Sequence, residues 1–307
     1  NQLLAEGARR LASTAEARTL LAHAAGVEPS GLLLLDGVPA AVEDAYLRLV
    51  LRRAGGEPVQ YLTGRAWFRT VEVAVSKGVF IPRPETEVMT GWAIERLRTL
   101  GEHPVVVELC AGSGAISAAI AAERPGCHQY AVELSPEAAR VAEANLAGTG
   151  VVLAEGDMAT AFPQLDRSVD LVIANPPYIP LEAWEHVAED VRSHEPALAL
   201  FSGADGLDAM LVVARTAARL LRPGGLVCAE HAEVQSESAV AVFAAAGAFT
   251  QVTDNPDLND RPRFVAAVRA ALLPTQRLSP EEPRSKHVLP ISPGGSSPVT
   301  ELPITAL

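Results

Sequence analysis

Cysteine is scarce in this chain, with three in 307 residues. Cys110, Cys127 and Cys228 are far apart and form no C-x-x-C pair, so neither a disulfide framework nor a metal site is expected. No apolar run approaches the ~20 residues that a membrane span needs. The first six residues contain no basic and apolar stretches of the signal-peptide kind. We therefore expect a cytoplasmic protein with no membrane segment.

Positive charge and aromatic residues are also in short supply. There are 25 Lys and Arg against 37 Asp and Glu, which gives a net charge of −12. This deficit argues against duplex nucleic acid as a partner, because proteins that bind it usually present a basic face to the phosphates. Aromatic residues make up 5% of the chain, hydrophobic residues 49% and charged residues 20%. This composition excludes a wholly disordered, collagen-like or coiled-coil chain and predicts cores of Ala, Val and Leu.

Helical periodicity dominates the first 55 residues, where apolar side chains recur at helical spacing and one helix is expected over about Ala40–Arg53. Two short β-like stretches follow, Ala66–Thr70 and Val71–Ser76. The segment Ile81–Glu87 contains two prolines and is predicted to be a stiff loop. A helix over about Pro84–Leu100 then leads into a second domain. At 307 residues the length fits about two domains.

Strands and helices alternate from Pro104 onward, which predicts a mostly parallel sheet buried on both faces. The last strand, about Phe264–Val268, follows its predecessor too closely for a crossover, so we expect it to be antiparallel. The other expected strands are Val105–Leu109, His128–Val132, Val151–Ala154, Asp170–Ala174, Gly225–Ala229 and Phe249–Thr253. The domain boundaries are predicted as 1–75, 76–272 and a disordered Pro- and Ser-rich tail, 273–307.

A glycine turn after the first of these strands indicates a nucleotide-type cofactor. In the run Val107–Gly114 a strand ends, glycines allow a tight turn and a helix begins, so backbone N–H groups can approach a ligand closely. Glu133 comes 21 residues after Gly112, at the end of the next strand, where a carboxylate can accept hydrogen bonds from ribose hydroxyls. An ordinary βα turn explains the glycines alone, but the two features together favour a cofactor.

Ser117 stands where a dinucleotide-binding turn has its third glycine, which favours S-adenosylmethionine over NAD. S-adenosylmethionine carries no phosphate, and the acidic strand end at Glu108 suits its charged amino-acid part. Asp157 is expected at the edge of the adenine and Met158 beside its ring. Loop polarity and a core methionine explain these last two residues equally well.

The motif Asn175-Pro176-Pro177-Tyr178 directly follows the apolar strand Asp170–Ala174. The prolines leave backbone carbonyls without local N–H partners and hold them rigidly. Asn175 adds a side-chain acceptor and Tyr178 a flat face. The motif can therefore accept both hydrogens of a planar NH₂ group and leave its nitrogen facing a methyl donor.

These blocks resemble the HemK/PrmC family of protein-(glutamine-N5) methyltransferases over about residues 1–270. The matching blocks are Pro58–Gly64, Ile81–Glu87, Glu108–Gly114, Asn175–Tyr178, His194–Leu200 and Asp205–Leu207. The resemblance implies a class I S-adenosylmethionine-dependent methyltransferase domain, Rossmann-like with seven strands, preceded by a helical domain and a β-hairpin linker. It also implies a substrate, the glutamine of the Gly-Gly-Gln loop in class I peptide chain release factors.

Carried onto matching positions, the resemblance places the cofactor against a set of residues that includes two departures from the family. The family usually has glycine at the position of Cys110 and often an aromatic residue at that of Met158. Asn175–Tyr178 are expected to hold the glutamine amide, with Arg83 and Glu85 on the opposite wall of the cleft. The expected cofactor contacts are Glu108, Cys110, Ala111, Gly112, Ser113, Gly114, Glu133, Asp157, Met158 and Asn175.

Three other functions stay open at this stage. They are a nucleic-acid adenine methyltransferase, a non-catalytic adaptor of the translation machinery that keeps the fold, and an NAD oxidoreductase. The acidic charge, the intact Asn175–Tyr178 motif and Ser117 argue against them in that order. The pair Glu230-His231 ends a predicted strand and is interpreted as structural. The protein is expected to act as a monomer on its protein substrate.

Overall fold

A computed structural model describes residues 2–186 and 188–271. The predicted tail, 273–307, lies outside the described residues. Within these two ranges no helix is long and apolar enough to cross a membrane.

The N-terminal region is a small cluster of helices with its own apolar core. Ser13 caps the second helix by accepting a hydrogen bond from a first-turn N–H, and Gly26 ends it in the left-handed conformation. Tyr46, a core residue, is fully buried. The helices are α1 (Gln2–Leu11), α2 (Thr14–Ala25), α3 (Ala40–Ala54) and α4 (Val59–Thr63), with a 3₁₀ turn at Pro29–Leu34.

An antiparallel hairpin joins this cluster to the larger domain. Its strands are β1 (Arg65–Phe68) and β2 (Val71–Ala74), as the sequence predicted. In the turn between them, the Arg69 guanidinium donates to both carboxylate oxygens of Glu123, at 2.8 and 2.7 Å. The helix α5 (Pro84–Leu97) follows and ends three residues earlier than expected, ahead of the left-handed Gly101.

Seven strands form the predicted sheet in the order β5-β4-β3-β6-β7-β9-β8. The first five strands of this order are parallel, and β9 pairs antiparallel with both β7 and β8, which confirms the predicted fold class. The strands are β3 (Val105–Leu109), β4 (His128–Glu133), β5 (Val152–Glu155), β6 (Val169–Ala174), β7 (Leu221–Glu230), β8 (Phe249–Pro256) and β9 (Pro262–Arg269). β7 begins four residues earlier than expected because Leu221 already pairs with Val169 of β6.

Helices cover both faces of the sheet and enclose two apolar cores. From β3 the chain moves outward through β4 and β5, then returns to β6 and continues in the other direction. The sheet order therefore reverses between β3 and β6, and open α/β sheets bind ligands in the crevice at such a point. The helices are α6 (Ala115–Glu123), α7 (Pro136–Asn145), α8 (Glu189–His194), α9 (Ala197–Leu200), α10 (Asp208–Leu220) and α11 (Ser236–Ala245).

Candidate active site

A cavity of about 280 Å³ opens at the carboxyl ends of β3, β4 and β6 and has a mostly apolar lining. It brings together most of the residues that the sequence predicted for the cofactor and the substrate. Those on its wall are Glu108, Cys110, Ala111, Gly112, Ser113, Glu133, Asp157, Met158, Asn175, Pro176, Pro177 and Tyr178.

The glycine turn after β3 forms one side of the cavity. Cys110 has φ +61° and Gly112 φ +56°, so the residue after the strand takes a conformation that L side chains rarely adopt. The glycine that the family usually has at position 110 suits this backbone. Gly114, also a predicted cofactor contact, is not among the residues on the cavity wall. A Cβ there would lie 3.1 Å from Leu146, so Gly114 instead allows α6 to pack closely on the end of α7.

Glu133 ends β4 and holds the glycine turn in place. Its Oε2 accepts the backbone N–H of Gly112 at 2.7 Å, and its Oε1 accepts that of Ser135 at 2.8 Å. Burial raises the pKa of this carboxyl. Each oxygen keeps a lone pair that a ribose hydroxyl could use.

Glu108 is almost wholly buried on the wall of the cavity. Its Oε2 accepts the backbone N–H of Ser117 at 3.0 Å and also the Ser117 hydroxyl. Its Oε1 has no hydrogen-bond partner among the described residues. Burial raises the pKa of Glu108 to about 8. Ser117, at the position where a dinucleotide-binding turn has its third glycine, is thus the residue that orients this carboxyl.

Asp157 and Met158 follow β5 at the far end of the cavity. The Asp157 carboxylate accepts the backbone N–H of Ala159 at 2.8 Å, and the side chain is exposed. The Sγ of Cys110 lies 3.4 Å from the Sδ of Met158. The two positions that depart from the family pattern are therefore in contact and form one soft, polarisable wall.

Asn175 lies just beyond β6, and its amide is fixed by Thr86 in the first turn of α5. The Nδ2 of Asn175 donates to the hydroxyl oxygen of Thr86 at 3.1 Å. Thr86 in turn donates to Oε2 of Glu230 at 2.7 Å, and the Tyr178 hydroxyl donates to Oε1 of the same carboxylate at 3.2 Å. Burial raises the pKa of Tyr178 well above its usual value, so the phenol remains a donor.

The two charged residues expected on the opposite wall lie elsewhere. Arg83 and Glu85 are absent from the cavity wall, to which segment 80–86 instead contributes Phe80, Pro82 and Thr86. Arg83 pairs with the buried carboxylate of Glu195 and lines a second, polar cavity next to the N-terminal helices. The segment therefore reaches the cavity as predicted, but through the buried hydroxyl of Thr86, next to Glu85, which the sequence did not single out.

The pair Glu230-His231 divides between two surroundings. His231 is fully buried and contacts Asp254 of β8 through Nε2 at 3.1 Å, in accord with a structural role. Glu230 instead accepts hydrogen bonds from Thr86 and Tyr178, which both line the cavity. Successive side chains of a strand point to opposite faces, and the acidic or amide groups at the ends of β3, β4, β6 and β7 share one edge of the sheet. That shared edge is the signal in the sequence that could have found Glu230.

The backbone of the Asn175–Tyr178 motif is supported by Gln235, which lies five residues after the end of β7. Its Nε2 donates to the carbonyl of Tyr178 at 2.9 Å and to that of Asp205 at 3.1 Å. Gly206 has φ +79°, and a Cβ there would overlap the Tyr178 carbonyl. The backbone of the motif is therefore held by a side chain and packed against a glycine. In residues 2–186 and 188–271 there is no cluster of His, Cys, Asp and Glu that could hold a metal.

Comparison with known proteins decides the family. Residues 2–64 match the model of the PrmC N-terminal domain, and residues 106–194 match that of a methyltransferase domain. The release factor glutamine methyltransferase of Streptomyces coelicolor is 48% identical over 88% of this chain and 99% of its own length. The chain belongs to the release factor glutamine methyltransferase family. This confirms the family, the methyltransferase activity and the cofactor, S-adenosylmethionine, that the sequence predicted.

Two further relatives are also similar to this chain over most of its length, and one of them has a different name. The release factor glutamine methyltransferase of Mycolicibacterium smegmatis is 42% identical over 83% of this chain and 90% of its own. A protein of Streptomyces pristinaespiralis is 40% identical over 84% of this chain and 89% of its own. It is named 4-amino-L-phenylalanine/4-methylamino-L-phenylalanine methyltransferase.

The hydrogen-bond acceptors and the apolar wall of the cavity fit S-adenosylmethionine. The unpartnered, buried Oε1 of Glu108 can accept a hydrogen bond from an ammonium group. A buried polar atom without a hydrogen bond destabilises the fold, so such a ligand would be favoured. Glu133 offers lone pairs for ribose hydroxyls, and the remaining wall is mostly apolar. Glu108, Glu133 and the glycine turn are the residues that would hold the cofactor.

Proposed function

We propose that this protein transfers a methyl group to the side-chain amide nitrogen of the glutamine in the Gly-Gly-Gln loop of class I release factors. The observation that carries the proposal is the hydrogen bond that fixes the orientation of the Asn175 side-chain amide. Its Nδ2 is used by Thr86, so its Oδ1 is the atom left to accept a hydrogen from a ligand in the cavity. A primary amide of a substrate supplies such a hydrogen.

Two fixed acceptors match the two hydrogens of an amide NH₂ group. One is Oδ1 of Asn175, and the other is the carbonyl of Pro176, which receives no N–H from the residues that the structure describes. Because Pro177 has no N–H, it cannot donate a hydrogen bond to a neighbouring carbonyl. The substrate nitrogen is thereby held by both its hydrogens while its π face stays open.

The bound cofactor supplies an electrophilic methyl group on a sulfonium. An amide nitrogen is a weak nucleophile because its lone pair is delocalised into the carbonyl, so alignment supplies much of the rate. Positive charge grows on the nitrogen during transfer, and acceptors at Asn175 and Pro176 stabilise that charge. The nitrogen then loses one proton and becomes a neutral N-methyl amide.

An aromatic amine is the second candidate substrate, on the strength of one relative. The 40% identical S. pristinaespiralis protein carries the name of a 4-amino-L-phenylalanine methyltransferase. An aryl NH₂ group is also planar and carries two hydrogens for the same acceptors. A nucleic-acid adenine has the same NH₂ chemistry, but the net charge of −12 opposes a polyanion.

Isotope-labelled S-adenosylmethionine and mass spectrometry distinguish these substrates. Purified release factor, the same factor with its Gly-Gly-Gln glutamine replaced by alanine, free 4-amino-L-phenylalanine and a DNA oligonucleotide are each incubated with the enzyme. We expect one added methyl group on the Gly-Gly-Gln peptide of the intact factor alone. Turnover of the arylamine with an unmodified release factor would replace this proposal with the second candidate. Cofactor binding without any transfer would favour an adaptor.

Asn175→Ala tests the acceptor assignment. We expect the turnover number to fall at least ~100-fold, the scale seen when one fixed group of a charge-stabilising site is removed, with an unchanged thermal transition. Asn259→Ala is the matched control, because Asn259 lies in an exposed loop, and it should keep the full rate. Residual turnover near that of the wild type in a folded Asn175→Ala variant would remove Asn175 from the reaction.

We also propose that residues 1–75 recognise the body of the release factor. The stretch matches the PrmC N-terminal domain up to residue 64, and Leu33 and Leu34 on its 3₁₀ turn are 89% and 85% exposed. Remote contacts of this kind add binding energy without touching the methyl donor. A Gly-Gly-Gln peptide should therefore have a far higher KM than the intact factor. Equal kcat/KM for the peptide and the factor would contradict a recognition role.

A further inference from the structure

Two hydrogen bonds connect the substrate-facing amide to a buried carboxylate on β7, and a third joins Tyr178 to the same carboxylate. They run from Asn175 Nδ2 to Thr86 Oγ1 at 3.1 Å, from Thr86 Oγ1 to Glu230 Oε2 at 2.7 Å, and from Tyr178 to Glu230 Oε1 at 3.2 Å. Thr86 and Glu230 are 3% and 1% exposed. Glu230 thus fixes both ends of the Asn175–Tyr178 motif without lining the cavity itself.

The charge of Glu230 sets the direction of these hydrogen bonds. An ionised carboxylate can only accept hydrogen bonds, and a hydroxyl has a single hydrogen to donate. When Glu230 is ionised it takes the Thr86 hydrogen, so the Thr86 oxygen can only accept from Asn175. The Nδ2 of Asn175 must then face Thr86, and Oδ1 is left for the substrate.

Protonation of Glu230 removes this constraint. A neutral carboxylic acid can donate to the Thr86 oxygen, which frees the Thr86 hydrogen. That hydrogen can be donated to Oδ1 of a flipped Asn175 amide, and the flipped amide then presents an NH₂ group to the substrate. Two donors would meet there, so this orientation cannot hold a substrate amide.

The groups around Glu230 come from three elements. Arg263 on β9 favours its ionised form, Glu85 on α5 opposes it, and the Tyr178 hydroxyl stabilises it by donating a hydrogen bond. Arg263 is itself paired with Asp257 at 3.2 Å, so its charge is shared. Burial outweighs these contacts and raises the pKa of Glu230 to about 7. Both protonation states are therefore populated near neutral pH.

We propose that ionised Glu230 is a positioning residue for methyl transfer, which acts through Thr86 to turn the Oδ1 of Asn175 toward the substrate amide. This inference rests on the proposed amide methylation. Glu230 touches neither the cofactor cavity nor the substrate. Its predicted structural role is therefore extended to a control of the acceptor geometry.

Turnover as a function of pH tests the proposal with two pairs of variants. Glu230→Gln keeps the shape of the side chain but has an NH₂ donor in place of one acceptor. It thereby resembles the protonated acid, whose O–H is also a donor. Thr86→Val breaks the connection at its middle, and Thr86→Ser restores the hydroxyl. Glu237→Gln, an exposed glutamate on α11, is the matched control for loss of one negative charge.

The wild type is expected to gain rate about 10-fold per pH unit below the Glu230 pKa and to level off above it. Glu230→Gln and Thr86→Val should be at least ~10-fold slower than this plateau and flat with pH, with an unchanged Kd for S-adenosylmethionine. Thr86→Ser should restore the pH dependence that Thr86→Val loses, and Glu237→Gln should follow the wild type. The double variant Glu230→Gln/Thr86→Val should be no slower than either single variant, because both break one connection.

A second measurement needs no turnover. The side-chain amide signals of Asn175 in ¹⁵N NMR should shift with the Glu230 titration in the wild type and Thr86→Ser, and should not shift in Thr86→Val. A wild-type plateau rate in Glu230→Gln, or an Asn175 signal that titrates equally in Thr86→Val, would overturn the proposal. An enzyme that leaves release factor unmodified refutes the proposed function instead, and the Asn175 titration still decides the connection.

Discussion

Binding of S-adenosylmethionine at pH 7 is expected to release a proton from Glu108. Its pKa of about 8 means that about nine tenths of the Glu108 carboxyl is protonated at pH 7. An ammonium group next to the unpartnered Oε1 favours the ionised form and returns the pKa toward its usual range. The proton must then leave to the buffer.

The size and the sign of the effect depend on pH. With the pKa of about 7.7–8.0 that an α-amino group has at a polypeptide terminus, the cofactor amine takes up only about a tenth of a proton at pH 7. The net release there is roughly 0.8 proton for each cofactor bound. At pH 9 Glu108 is mostly ionised and the cofactor amine is mostly neutral, so the complex should instead take up a proton.

Calorimetric titrations in two buffers of different ionisation enthalpy measure this exchange. Glu108→Gln should bind more weakly and show no proton release at pH 7. Glu143→Gln, an exposed glutamate on α7, should match the wild type. If the wild type exchanges no proton at pH 7, Glu108 is not the neutral partner described here. If Glu108→Gln still releases one, the proton comes from Glu133.

The same raised pKa predicts how stability depends on pH. Between pH 4.5, the ordinary value for a glutamate, and about 8, folded Glu108 binds a proton that the unfolded chain has lost. Its contribution to stability therefore falls as the pH rises through this window. Glu108→Gln should gain stability relative to the wild type as the pH is raised from 5 to 8, which urea denaturation at a series of pH values can follow.

Two further substitutions test supports of the fold. Gly206→Ala should lower the free energy of unfolding by more than Gly148→Ala, since both positions have positive φ but only at Gly206 would the Cβ overlap a neighbour; the control should lose about 1–2 kcal/mol. Equal losses in urea denaturation would contradict the overlap. Arg69→Gln should cost about 2 kcal/mol by removing the paired hydrogen bonds to Glu123, whereas the exposed Arg98→Gln should cost about 0.5 kcal/mol or less. The pKa of Glu123 is lowered by Arg69, so this difference should be present at pH 7 and vanish once acid protonates Glu123.

The sequence predicted those parts of the site that depend on local order along the chain. A glycine turn after a strand, an acidic strand end and the Asn175–Tyr178 motif are each contained within a few residues. Their carboxyl-end positions then follow from the parallel sheet, and the cavity wall contains nearly all of them. Local pattern was also sufficient for the hairpin and for the antiparallel last strand.

The sequence did not predict the contact between Thr86 and Glu230, because the two residues are far apart along the chain. Thr86 and Glu230 are 144 positions apart and meet only because α5 packs beside the ends of β6 and β7. No periodicity marks a threonine between two glutamates as the buried member. The sequence favoured the charged side chains of Arg83 and Glu85 as substrate ligands. Charged side chains are mostly exposed, however, and neither residue lines the cavity.

Glu108 and Glu230 show why burial rather than residue type distinguishes the functional carboxyls. Both are at the ends of central strands and are almost fully buried, and burial raises the pKa of each into the neutral range. Each disfavours folding at pH 8, since its charge must be held in a poorly solvated place. Their partners differ, however: Glu108, a residue of the cavity wall, keeps one buried oxygen without a partner among the described residues, whereas Glu230 is satisfied by Thr86 and Tyr178. The unpartnered oxygen is suited to a charged ligand, and the partnered carboxylate to holding the side chains that face the substrate.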